Sequence, residues 1–187
     1  QPKIVSSGSL VTVNGKPAIS FDGSDNFLEV SGSSSDVSDE VAYSFSPSGD
    51  FGIFFVTKNV GGTSGNLIDS RDAGGDGIFV QQRSTASIRF KYNGESNLDV
   101  SAALNTQHFA SLILNGTTLS ASVDGGTAQT TTVTVGVDTT QNLIIGAGFN
   151  NLNFIDAEVQ ELIFYENSQS SNKSEIETEI DNFYSIS

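Results

Sequence analysis

The chain has no cysteine, no methionine and no tryptophan, a single histidine and only three prolines among 187 residues. Without cysteine there is no disulfide framework, no thiolate nucleophile and no Cys-ligated zinc or iron–sulfur centre. One imidazole, His108, cannot form a multi-histidine metal site. No run reaches the roughly 18 apolar residues of a membrane-spanning helix, so membrane insertion is not expected. Cations are scarce as well. Eight Lys and Arg stand against 22 Asp and Glu, a net charge of −14 and a pI near 4.1. A nucleic-acid binder neutralises phosphates with clustered Lys and Arg. The nearest approach to a cluster, Arg83, Arg89 and Lys91, is offset by acids elsewhere. Neither nucleic acid nor an anionic membrane surface is an expected partner.

What fills the chain instead is 28 Ser, 15 Thr, 15 Asn and 19 Gly, together with 13 Phe. The aromatic content separates it from disordered sequences of similar polarity. Domains of this length bury roughly 70% of the surface that their unfolded chains expose, so one sizeable core is feasible. An acidic surface rich in Ser, Thr and Asn suits extracellular, cell-surface or virion-surface life. The chain opens on Gln1, which is read as a processed product or a piece excised from a larger protein, with any signal peptide already removed.

The dominant period is two, the mark of half-buried strands. Ile88, Phe90 and Tyr92 alternate with Arg89 and Lys91, and Leu119, Ala121 and Val123 alternate with Ser120 and Ser122. Asn14-Gly15, Asp22-Gly23, Asn93-Gly94, Asn115-Gly116 and Asp124-Gly125 punctuate the pattern. Such dipeptides tolerate the positive φ of tight hairpins. Strands are expected near 10–13, 17–21, 27–30, 51–58, 66–70, 77–83, 87–92, 97–100, 108–114, 119–123, 129–135, 142–146 and 154–165. Residues 108–114 are apolar on both phases, which predicts a central strand covered on both faces. Residues 31–50 read as a long loop anchored by Tyr43 and Phe45. One helix is expected, at the C-terminus. Asn172 caps it with Glu175, Ile176, Ile180, Phe183 and Tyr184 form its apolar face, and Glu175, Glu177, Glu179 and Asp181 face solvent. It is expected to cover an edge or end of the sheets. The whole of 1–187 reads as a single all-β domain, an antiparallel two-sheet β-sandwich of about 12–14 strands with that one helix.

The order of motifs resembles a known family. Residues 16–28 (KPAISFDGSDNFL), 107–116 (QHFASLILNG), the turn Val123-Asp124-Gly125 and residues 155–165 (IDAEVQELIFY) are similar, in that order, to LamG-like jelly-roll domains of the concanavalin A-like lectin/glucanase superfamily. The C-terminal segment resembles modules of secreted polysaccharide-degrading proteins of marine bacteria and of phage tail or surface proteins. The resemblance implies a jelly roll and a default role in carbohydrate binding or adhesion. Function lives in a site and does not follow from the fold alone.

The superfamily contains glycosidases and lyases. A glycosidase needs two carboxylates flanking one bond. Glu158 and Glu161 are three residues apart, on opposite faces of a regular strand unless a bulge intervenes. His108 reads either as a general base or sugar contact, or as a strand-start residue with one ring nitrogen hydrogen-bonded. The loop Asp69–Gly77 carries Asp69, Asp72 and Asp76 among flexible glycines, the oxygen supply that calcium requires. It also suits a sugar hydroxyl or a plain solvated turn, with Arg71 pairing one of the acids. The acidic turn Asp22–Asn26 offers the same choice between calcium and hairpin chemistry. For a glycan, Phe149, Asn150, Asn151 and Asn153 combine an aromatic platform with three amides, and Tyr43 and Tyr92 are further platforms. Asn115-Gly116-Thr117 and Asn172-Lys173-Ser174 match glycosylation sequons.

The expectation is a non-catalytic module that attaches a parent protein or particle to a glycan or polysaccharide and requires no cofactor, with a structural calcium at Asp69, Asp72 and Asp76 as an option. Two other classes stand beside it: a structural or decoration domain acting through protein–protein contacts, and a glycan-active enzyme.

Overall fold

The computed structural model describes residues 1–30, 49–94, 97–135 and 142–186. Two short hairpins open the chain, β1 (Val5–Ser6) with β2 (Ser9–Leu10) and β3 (Thr12–Val13) with β4 (Lys16–Pro17). Twelve further strands form two six-stranded sheets, and every pairing is antiparallel. The first sheet runs, across its width, β11 (Leu98–Ser101), β10 (Ser87–Tyr92), β9 (Ile78–Arg83), β8 (Gly65–Asp69), β15 (Leu143–Ile145) and β6 (Leu28–Val30). The second runs β14 (Gln129–Thr132), β13 (Thr118–Val123), β12 (Gln107–Asn115), β7 (Phe51–Asn59), β16 (Asp156–Tyr165) and β5 (Ile19–Asp22). Neighbours such as β8 and β15 are far apart in sequence, as in a jelly roll.

The period-two pattern produces the sandwich directly. Phe51, Ile53 and Phe55 of β7 meet Ile78, Val80, Ile88, Phe90 and Tyr92 of the facing sheet in one core. Each fully buried side chain of this size contributes about 1.5–3 kcal/mol by leaving water. Strand β12 is buried from Gln107 to Leu114, as its two-phase apolarity requires. Its inward residues Ala110, Leu112 and Leu114 join the main core, while Phe109 and Ile113 face the other way.

That second face is covered by α1 (Lys173–Tyr184), which packs Ile180 and Tyr184 on Phe54, Val56, Phe109 and Ile113. The helix therefore lies on the back of a sheet, not at an edge or end. Three details of its expected chemistry are corrected. Asn172 has helical dihedrals and makes no side-chain cap bond; its amide donates to Gln169 instead, 3.0 Å away. Phe183 is 57% exposed, with Lys16 Nζ 3.9 Å above its ring. Glu177 is buried, not solvated. Its Oε1 accepts from the hydroxyls of Ser111 (2.8 Å) and Ser122 (3.0 Å), and its Oε2 from Lys173 Nζ (2.6 Å). The two serines sit side by side on β12 and β13, so one carboxylate satisfies both polar groups beneath the helix.

In β16 the ladder to β7 shifts between Val159 and Glu161, leaving Gln160 as the bulged residue. Its carboxamide Nε2 donates to the carbonyls of Val13 (3.1 Å) and Lys16 (3.2 Å), and its Oε1 accepts from Gln107. The bulge thus fastens the β3–β4 hairpin to the sheet.

Candidate functional site

Asp69 ends β8 and is completely buried. Its Oδ1 accepts from the Arg71 backbone N–H (3.1 Å) and Nε (2.9 Å). Its Oδ2 accepts from Arg71 Nη2 (2.7 Å), Asn66 Nδ2 (3.0 Å) and the backbone N–H of Phe149 (3.2 Å). Five donors saturate the carboxylate, and a guanidinium neutralises it, which is the condition for burying a charge. The chain of contacts extends through Asn66 Oδ1 to Gln81 Nε2, 3.0 Å away. Arg71 also lies over the Phe79 ring, its Cζ 3.8 Å from the centroid, and 5.7 Å from that of Phe149.

These contacts join two loops that are 80 residues apart in sequence. In the first, Asp72 Oδ1 accepts from the N–H groups of Gly74 (2.8 Å) and Asp76 (3.0 Å), closing a tight turn. In the second, Gly148 N–H bonds Leu152 O (2.7 Å) and Asn151 N–H bonds Gly148 O (2.8 Å). Asn151 and Asn153 hold positive φ of 55° and 54°, a conformation asparagine tolerates better than most residues. Phe149 is 36% exposed, Leu152 is exposed beside it, and the three amides of Asn150, Asn151 and Asn153 lie on the surface.

This geometry locates the residues that the sequence singles out. Phe149, Asn150, Asn151, Asn153 and Arg71 do come together on one rim. Tyr92 does not join them. It is 1% exposed and packs on Phe51, with centroids 5.6 Å apart, so it is core and no sugar platform. Tyr43 lies outside the described residues. The calcium set Asp69, Asp72 and Asp76 does not fit a cation. Asp69 is occupied by N–H donors, Asp72 Oδ1 by its own turn, and among the described residues no three acidic or imidazole groups converge where they could hold a metal ion. In the turn at Asp22, Oδ1 accepts from Ser24 N–H at 3.0 Å. That bond leads in holding the carboxyl below the usual aspartate range, which is turn chemistry, although the turn crosses from β5 in one sheet to β6 in the other and closes no hairpin.

The bulge changes the reading of the two glutamates. Glu158 pairs with Lys58 and Glu161 with Val56, two residues of β7 that share a face, so the glutamates share a face as well. They do not share a cavity. Glu161 lines a hollow of about 670 Å³ between β16 and α1, with Tyr165, Glu175, Glu179 and Phe183; Glu158 stands outside it, 3.8 Å from Lys58 Nζ. Burial and the charge of Glu161 push the Tyr184 hydroxyl up to about 12.

His108 is bonded at both ring nitrogens, Nδ1 to Asp124 Oδ2 (2.6 Å) and Nε2 to Ala103 O (2.9 Å). Only the doubly protonated ring can donate to both. Burial opposes the charge, but the hydrogen bond and charge of Asp124, with the Ala103 carbonyl, outweigh it and raise the imidazole above its ordinary 6.5. A raised folded value means that the stabilisation is complete below pH 6.5 and is lost as pH climbs through the folded value. Thermal melts between pH 6 and 9 should show an alkaline fall in midpoint that His108→Gln lacks. An identical fall in the variant would assign it to other groups.

No protein-family model matches the sequence, and no curated protein matches it significantly. Solved structures do match in shape. The CBM40 module of Ruminococcus gnavus IT-sialidase, bound to α2,3 sialyllactose, superposes with a TM-score of 0.59 at 13% identity, over 79% of this chain and 94% of that one. Mouse laminin α1 domains LG4-5 give 0.61 at 17% identity, over 90% and 46%. Trypanosoma rangeli sialidase gives 0.61 at 15% identity over 87% of this chain, but this chain spans only 27% of the sialidase. At these identities the likeness establishes a shared fold, the jelly-roll β-sandwich.

Proposed function

We propose that the chain is a LamG-like, non-catalytic glycan-binding module that anchors a larger protein or particle at an extracellular, cell or virion surface. The observation carrying this is the rim at Phe149. It is an exposed ring flanked by three surface amides and a guanidinium, on a loop whose backbone is held by a buried carboxylate. Aromatic faces stack on apolar sugar faces while amides bond hydroxyls, and a pre-positioned loop spares the ordering cost of binding. The R. gnavus module, solved with α2,3 sialyllactose bound, supports the reading that a sandwich of this shape can hold a glycan.

A glycan array probed with the purified chain tests this, followed by titration of the best ligand. Phe149→Ala with Asn150→Ala should weaken binding about tenfold or more, the loss of an aromatic anchor. An array without hits, or variants that bind as well as the parent, would sink the proposal.

A structural or decoration role is favoured by a different observation. Ile4, Val5 and Leu10 are all more than half exposed, and Ile4 and Leu10 border a hollow of about 250 Å³ with Ile19 and Val159. Exposed apolar groups of this kind suit contact with another protein.

A further inference from the structure

The fold does to the cations what the sequence does not show. The chain has eight Lys and Arg against 22 acids. All three arginines and Lys91 belong to one face of one sheet or to its rim. Inward positions of β9 and β10 are Ile78, Val80, Ile88, Phe90 and Tyr92, all in the main core. Alternation therefore turns Phe79, Gln81, Arg83, Arg89 and Lys91 to the outer face. Register aligns Lys91 with Phe79 and Arg89 with Gln81, and Gln81 with Asn66. Arg71 lies over the same Phe79, so the strip runs from β11 to the Phe149 rim, about 20 Å at the usual strand spacing.

Two carboxylates on this face are already paired. Asp69 is taken by Arg71, and Asp99 by Arg89 through a two-pronged contact of 2.8 and 2.8 Å. At the far edge, Glu29 of β6 accepts from Asn142. Arg83 and Lys91 have no carboxylate within ion-pair distance among the described residues. Arg83 donates Nη1 to Gln81 Oε1 (3.2 Å), and its buried Nε has no acceptor. Amides of Gln81 and Asn66 lie alongside. In a protein of charge −14, Lys91 beside Phe79 and Arg83, about 13 Å farther along β9 and within the field of Asp99, form a local exception to the field around them.

We infer that this face selects an acidic glycan, one whose sugars bear carboxylate or sulfate groups, with Arg83 and Lys91 meeting the anions while Phe149 carries a sugar face. The inference rests on the glycan-binding reading above. A sparsely charged polysaccharide suits it better than nucleic acid. DNA carries a charge every 1.7 Å or so, more than two free cations can neutralise and a strong repulsion for the remaining surface.

Matched polymers test it in titrations of the full chain: dextran against dextran sulfate, and methyl-esterified against de-esterified homogalacturonan, each at 50 and 500 mM NaCl. The expected result is binding at least about tenfold tighter to the charged member of one pair, weakened about tenfold by the higher salt. The sulfate and carboxylate pairs identify which anion is read. Arg83→Gln/Lys91→Gln should abolish the preference, and Lys91→Gln alone should reduce it without touching the buried Arg83 stem. Equal binding to charged and neutral members, or a preference unmoved by either variant, overturns the inference. So does failure to bind either charged polymer, or tighter binding to a single-stranded oligonucleotide. If neutral array glycans still bind and remain sensitive to Phe149→Ala, only the acidic specificity has failed; if no glycan binds, the underlying reading has failed with it.

Discussion

Asp69→Ala is expected to lower the melting midpoint by on the order of 10 °C and to abolish the glycan binding proposed for the Phe149 rim. The carboxylate is fully buried and accepts five N–H bonds, two of them from the Arg71 side chain. Its removal strands a partly buried guanidinium, the Asn66 amide and two backbone donors. Breaking a buried ion pair from one side costs about 3–5 kcal/mol. For a chain of this length each kcal/mol moves the midpoint by about 2–4 °C. Asp69→Asn keeps the shape but aims an amide at the guanidinium, so it should fall between parent and alanine. The loss is distinctive because it touches two loops at once. Calorimetry with parallel titration checks it. A midpoint within about 2 °C of the parent would mean that water replaces the carboxylate without difficulty.

Gly146→Ala should be comparably damaging, by about 2–5 kcal/mol, through sterics and backbone strain instead of charge. Gly146 holds φ of +95°, and a Cβ there would lie 2.4 Å from two atoms of the Phe21 ring. That ring is itself locked in the core. Neither side can retreat, since Gly146 bonds Leu67 through its N–H and Ile155 through its carbonyl, both at 3.0 Å. Gly75 separates the two contributions. Its φ is +94°, but no atom lies within 4 Å of a Cβ there, so Gly75→Ala should cost only the backbone strain of about 1–2 kcal/mol. Urea unfolding of the two variants measures the difference. Equal midpoints would show that the Phe21 contact relaxes freely.

The strands and hairpins were legible because alternation and Asn-Gly or Asp-Gly turns are local signals. The C-terminal helix was legible for the same reason: its apolar period identified Ile180 and Tyr184 as buried, but not the sheet face on which they pack. Glu177 was misread because charge on a helix ordinarily implies solvent. The clue lay elsewhere, in Ser111 and Ser122, polar residues in strands with no water available to them. Tyr92 was misread against evidence already present, since it keeps the phase of Ile88 and Phe90, which is the core phase. The bulge at Gln160 left no sequence mark, and without it the relation of Glu158 to Glu161 could not be known. Within the site, the Phe149–Asn153 rim was recognisable from composition. The role of Asp69 was not, because Asn66, three residues back on β8, reaches it across an irregularity in that strand, and Phe149 comes from a segment 80 residues away. Acid-rich glycine loops suggest cations to a reader of sequence, while the fold spends this acid on N–H groups. The gathering of the arginines likewise depends on which strands lie side by side.

Asp69 grips position 149 through the main chain, not through the ring. Any residue with an N–H can therefore occupy that position while the grip persists, and only proline is barred. The display side chain is a replaceable head on a fixed mount. Substituting tryptophan, tyrosine or an aliphatic residue at 149 should change the surface that the rim presents without renegotiating how the rim is held, with little toll on folding.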